Sequence, residues 1–123
     1  MAKKALVMDD SPIIRKMVTF GLQKTKSYEV VQAGNGQEGL DLTKQHEFDL
    51  IFSDINMPQM NGVEFLTEFR KGNKTTPVFM LTSEQESTFK PKCLELGANG
   101  FFKKPFKPNT IEAALKQLLD ENA

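Results

Sequence analysis

A chain of 123 residues, 39% hydrophobic and 26% charged, can fold around one core without staples and does not have a disordered composition. Its 16 Lys and Arg balance 16 Asp and Glu, so no global field favours nucleic acid or an anionic membrane as the partner. No apolar run reaches the ~18 residues of a membrane span; no signal-peptide pattern follows Lys3 and Lys4; and the single cysteine, Cys93, cannot form an internal disulfide, which points to the cytoplasm.

The first element is Ala5 to Met8, a continuous apolar run of the kind found in strands buried on both faces. It ends in Asp9-Asp10. Ser11-Pro12 then read as an N-cap followed by proline at the first helical position. Ile14, Met17, Val18 and Leu22 follow at helical spacing, giving a first helix over roughly 12–25. Tyr28 to Ala33 is a second strand, Gly34-Asn35-Gly36 a turn, and Gln37 to Gln45 a second helix. His46 is a lone histidine near the end of that helix, solvated and without the companions a zinc site needs.

Leu50 to Ser53 is the third strand, and it delivers Asp54 to its end. Met57-Pro58 turns the chain away from helix, because the residue before proline is pushed to extended geometry. Asn61-Gly62 starts a third helix with Val63, Leu66 and Phe69 on one face. Val78 to Leu81 is the fourth strand, ending at Thr82-Ser83. Pro91 cannot sit in a helix interior, so the fourth helix starts late, with Pro91 in its first turn, and stops at Gly97. Gly100 to Lys103 is a short fifth strand. Lys104-Pro105-Phe106 is a loop, and Pro108 opens a last helix carrying Ile111, Ala114, Leu115, Leu118 and Leu119. Five strands alternating with five helices imply a parallel sheet with helices on both faces, in one domain spanning 1–123 with no output domain.

Open parallel sheets bind ligands beyond the carboxyl ends of their strands. There the first strand brings Asp9 and Asp10, the third Asp54 with Asn56 just after it, the fourth Thr82 and Ser83, and the fifth Lys104. Three carboxylates in one cleft raise one another's pKa. A divalent cation relieves that repulsion, and oxygen donors around a small, water-rich site suit Mg²⁺. Lys104 and Thr82 opposite such a site suit an anion, so the cleft reads as a seat for a phosphoryl group. Asp54 is the candidate nucleophile, since a carboxylate can attack phosphorus to give an acyl phosphate.

Asp9-Asp10, Asp54 with Met57-Pro58, Thr82-Ser83 and Lys104-Pro105, in this order and spacing, resemble the signature of response-regulator receiver domains, and in particular of stand-alone CheY-type regulators. The resemblance covers nearly the whole chain. It implies a flavodoxin-like, doubly wound (βα)5 fold with strand order 2-1-3-4-5. It implies that Asp54 is the phosphoacceptor; that Asp10, Asp54 and the carbonyl of Asn56 hold Mg²⁺, with Asp9 assisting; and that Thr82 and Lys104 contact the phosphoryl oxygens. It further implies a switch in which Thr82 moves inward and Phe101 follows. Many relatives have tyrosine at that position, and Phe101 has no hydroxyl to offer a partner. Asn56 and Glu84, each two residues past a site residue, are implied to tune hydrolysis, and this pair resembles the fast-turnover chemotaxis members.

The expected function is a phosphorylation switch, charged by a histidine kinase and acting through protein contact. It is monomeric, catalyses only its own phosphorylation and dephosphorylation, and meets no nucleic acid or membrane. The flagellar motor is the first expectation for its target, with a phosphatase as a further partner. The alternative is a phosphorelay intermediate passing its phosphoryl group to a histidine phosphotransfer protein. A phosphatase reading of the chain itself is disfavoured because Asn56 stands where such enzymes carry a second Asp. A flavin carrier is disfavoured because Asp9-Asp10 would repel a flavin phosphate. Between Ser87 and Lys116 six lysines face two glutamates, a net charge of +4. This is either a solvated face or a partner surface on the fourth helix, fifth strand and fifth helix.

Overall fold

The computed structural model describes residues 3–24, 28–83, 85–104, 109–110 and 113. Five strands, β1 (Lys3–Met8), β2 (Tyr28–Ala33), β3 (Leu50–Asp54), β4 (Val78–Thr82) and β5 (Gly100–Lys103), form one sheet. All pairings are parallel and the order is β2-β1-β3-β4-β5. The helices between them are α1 (Pro12–Lys24), α2 (Gly36–Gln45), α3 (Gly62–Gly72) and α4 (Lys90–Glu95). This is the flavodoxin-like, doubly wound fold. Of the expected last helix, 109, 110 and 113 are described and helical; Pro105, Phe106, Pro108 and the rest of that helix lie outside the described residues.

The apolar strands feed two cores, because successive side chains leave a strand on opposite faces. Leu6, Met8, Ile51, Val78 and Met80 point to one face, where Phe65, Leu66 and Phe69 of α3 and Cys93 of α4 cover them. Ala5, Val7, Leu50, Phe52 and Leu81 point to the other, against Val18 and Leu22 of α1. On that second face Phe52, Phe79 and Phe102 form an aromatic cluster with ring centroids 5.6 to 5.9 Å apart. Cys93 is a fully buried core residue, as its type favours.

Local chemistry sets the boundaries. Asn35 caps α2, its side chain accepting from the Glu38 N–H at 2.8 Å. Asn61 and Glu64 form a reciprocal capping box at the start of α3, which satisfies two N–H groups that the helix cannot. Pro91 does sit in the first turn of α4, which is preceded by a 3₁₀ turn at Ser87–Phe89. His46 departs from expectation. It is half-buried at the end of α2, its Nδ1 is 3.0 Å from Lys4 Nζ, and its ring lies 5.8 Å from that of Phe48.

Candidate functional site

The carboxyl ends of β1, β3 and β4, with the residue after β5, converge on one cluster. Asp9 and Thr82 are fully buried, Asp54 is 3% exposed, and Asp10 points to solvent. Asp54 is the last residue of β3, paired in register with Leu81 of β4. Its Oδ1 accepts from its neighbour Ile55 N–H at 2.9 Å, which fixes the carboxylate over the strand end. Gly62, the first residue of α3, packs so closely there that a Cβ would overlap the carbonyl oxygen of Asp54. The helix start is thereby held against the end of the strand.

Lys104 ties the cluster together. Its Nζ donates to Asp54 Oδ1 at 3.0 Å and forms an ion pair with Asp9 Oδ2 at 3.0 Å. Its backbone N–H donates to the Thr82 carbonyl at 2.7 Å. The other oxygen of Asp9, Oδ1, accepts from the Ser11 N–H at 2.9 Å. The Thr82 hydroxyl is buried without a hydrogen-bond partner among the described residues. Such a group normally costs ~1–3 kcal/mol unless something else occupies it.

The electrostatics reflect this crowding. Burial, and then the charge of Asp9, raise the Asp54 carboxyl to about 7, against the opposing pull of Lys104. Glu86 adds to the rise. Burial alone would lower Lys104, but hydrogen bonds to and charges on Asp9 and Asp54 outweigh it and hold the ammonium above its usual range. One lysine thus faces two buried carboxylates with a third at the rim. Carboxylate oxygens of Asp9, Asp10 and Asp54 lie within 4.8 Å of one another. Hard oxygen donors in mutual repulsion fit a small divalent cation, so the donor set suits the ion that the sequence points to.

Asn56 is exposed in the loop just after Asp54. Phe101 is half-buried on β5 against the α3–α4 core, with Lys90 Nζ 5.6 Å from its ring centroid. Glu84 lies outside the described residues. Two residues absent from the sequence reading also act here. Arg15, on the first turn of α1, donates from Nη1 to the Asp9 carbonyl at 2.6 Å. Glu86 accepts from the Ser83 N–H at 2.9 Å and acts electrostatically on Asp54. Arg15 carries no local sequence signal, since it matters only through a neighbour that the fold brings to it, whereas Glu86 completes a local Ser-x-x-Glu pattern with Ser83.

This geometry belongs to a known class. The chain is a member of the response regulator receiver domain family, whose profile matches residues 5–116. It is therefore the receiver domain of a two-component response regulator, a class of signalling switch. Among solved structures it is similar to the chemotaxis response regulator CheY4 of Vibrio cholerae, with 40% identity and a TM-score of 0.87 over 96% of this chain and 99% of that one. A putative response regulator from Chloroflexus aurantiacus superposes with a TM-score of 0.87 at 28% identity, over 98% of this chain and 99% of that one. Among curated proteins, the transcriptional regulatory protein SrrA of Staphylococcus aureus is 34% identical over 119 residues, which is 97% of this chain and 48% of the relative. The chain spans about half the length of the curated relatives it matches. Among the described residues no helix is long and apolar enough to cross a membrane.

Proposed function

We propose that Asp54 accepts a phosphoryl group from a histidine kinase, with Mg²⁺ held by Asp10, Asp54 and the carbonyl of Asn56 and with Asp9 assisting. The observation that carries this is Lys104 Nζ at 3.0 Å from both Asp9 Oδ2 and Asp54 Oδ1, beside the unpartnered Thr82 hydroxyl. An Asp54 carboxylate oxygen forms the new bond to phosphorus as the phosphorus–nitrogen bond of the donor phosphohistidine breaks, and the imidazole leaves with the electron pair. The cation, when bound, neutralises charge on the carboxylates and on the incoming phosphoryl oxygens. Lys104 then transfers its contact from Asp54 to a phosphoryl oxygen, and the Thr82 hydroxyl donates to another. The rise of Asp54 to about 7 comes first from burial and then from Asp9, with the opposing pull of Lys104 already included, and a bound cation would offset it further.

The readout is the surface of α4, β5 and the last helix. Thr82 leaves its resting place, Phe101 changes rotamer, and the lysines of this region (Lys90, Lys92 and Lys103 among the described residues) meet an acidic-leaning protein. Likeness to CheY4 supports a chemotaxis output at the flagellar motor, as do Asn56 and Glu84 in their tuning positions. The phosphorelay role is the second reading, since the same acyl phosphate can pass back to a histidine. Affinity capture with and without beryllofluoride, an acyl-phosphate mimic, tests the readout. A motor component held only by the activated form supports the first reading, a histidine phosphotransfer protein supports the second, and capture that ignores beryllofluoride contradicts both.

A further inference from the structure

The turn from Ala33 to Gly36 carries none of the site's carboxylates, yet it touches both halves of the site. At one end the Ala33 carbonyl accepts from the Asp9 N–H at 3.1 Å. Arg15 fastens the same end: it donates from Nη1 to the Asp9 carbonyl at 2.6 Å and from Nε to Gln32 Oε1 at 3.2 Å. At the other end the Gly36 N–H donates to the Met60 carbonyl at 2.9 Å. Asn35, between them, is locked onto α2 by its cap. The turn therefore spans from the base of Asp9-Asp10 to the loop that runs from Asp54 to Asn61.

That loop has little freedom to absorb a push. Met60 N–H donates to the Pro58 carbonyl at 2.7 Å, and Gln59 between them holds a left-handed φ of 66°, which strains a residue with a Cβ. The Gly62 N–H donates to the Ile55 carbonyl at 2.8 Å. Gly36 is buried, and a Cβ on it would overlap the Met60 carbonyl, a backbone group that cannot swing aside as a side chain can.

We infer that the Ala33–Gly36 turn is a positioning element that sets the spacing between Asp9-Asp10 and Asp54-Asn56, with Gly36 as its contact residue. This rests on the reading of the cluster as a divalent-cation site. Groups that orient metal ligands without touching the metal typically change its affinity ~10–100-fold when altered.

The test compares Gly36→Ala, Arg15→Met and Gly72→Ala, the last at an exposed helix end where an added Cβ meets nothing. Mg²⁺ affinity is measured by calorimetry, and backbone amide spectra are recorded in chelator. Gly36→Ala should raise the Mg²⁺ Kd about tenfold or more and move the amides of Asn56 to Asn61 with those of the strands unmoved. Gly72→Ala should bind as wild type does. If Gly36→Ala does not fold, Arg15→Met probes the other end, with a raised Kd and displaced amides at Asp9 to Ser11. Wild-type affinity in the folded variants overturns the inference and leaves the cation site standing. No Mg²⁺ uptake by the wild type overturns the cation reading and this inference with it.

Discussion

Lys104 places its backbone N–H 2.7 Å from the carbonyl of Thr82, while the hydroxyl of that same threonine is buried with no partner among the described residues. The backbone contact fixes where β4 and β5 end. The free hydroxyl is a donor waiting in the resting state. Replacing it by an isosteric methyl removes an unsatisfied polar group and nothing else, which is close to neutral or favourable. Thr82→Val should therefore keep the resting Tm or raise it by a few degrees. The same variant should lose most of the spectral change that beryllofluoride induces in the wild type. A large drop in resting Tm would show that the hydroxyl is already in use.

Asp54 makes the resting fold sensitive to pH. Its carboxyl is raised from 3.8 to about 7, chiefly by burial and then by Asp9. Between those values the folded chain holds a proton that the unfolded chain has released, so its contribution to stability falls as pH rises through about 7 and is lost above it. Asp54→Asn, which cannot ionise, should raise the Tm in chelator at pH 8 by several degrees, on a scale of roughly 2–8 °C per kcal/mol. The gain should shrink toward pH 5. Calorimetric scans at the two pH values decide it. An equal gain at both would mean that the charge on Asp54 is not what strains the resting site.

Removing the lysine has the opposite sign. Lys104 is the cation between two buried carboxylates, and breaking such a pair leaves uncompensated charge. Its side chain is 20% exposed, so water recovers part of the loss, and Lys104→Met should cost on the order of 1–3 kcal/mol at pH 8 by denaturant melts. Lowering the pH should restore part of the loss as Asp54 takes up a proton. Mg²⁺ should stabilise the variant more than the wild type, because the ion replaces the missing cation. Stability equal to wild type at pH 8 would contradict the role given to Lys104.

Much of this was legible in the sequence, for a physical reason. Strands such as Ala5–Met8 and Val78–Leu81 are buried on both faces, so they are apolar throughout and a polar residue marks where each one ends. That is why Asp9, Asp54 and Thr82 could be placed at one edge of the sheet; Asn61 could be read as a helix start from its own turn chemistry, whereas Asn35 reads only as a turn residue and proves to be the cap of α2. What stayed hidden was non-local. The reach of Arg15 to the Asp9 carbonyl depends on two segments meeting in space, and so do the grip of Arg70 on Gly97 and Asn99 and the close approach of Gly36 to Met60. No residue pattern near any of them announces the contact. His46 looked solvated because nothing nearby in sequence predicts its contact with Lys4, 42 residues away.

The site of phosphoryl attachment is the most direct test. The protein is treated with acetyl phosphate and Mg²⁺, reduced with borohydride, which converts an aspartyl phosphate to homoserine, and mapped by peptide mass spectrometry. The account predicts one phosphoryl group per chain, homoserine at position 54, and neither in Asp54→Ala. Homoserine at Asp9 or Asp10, a phosphoryl group on His46, or a label that survives Asp54→Ala would contradict it.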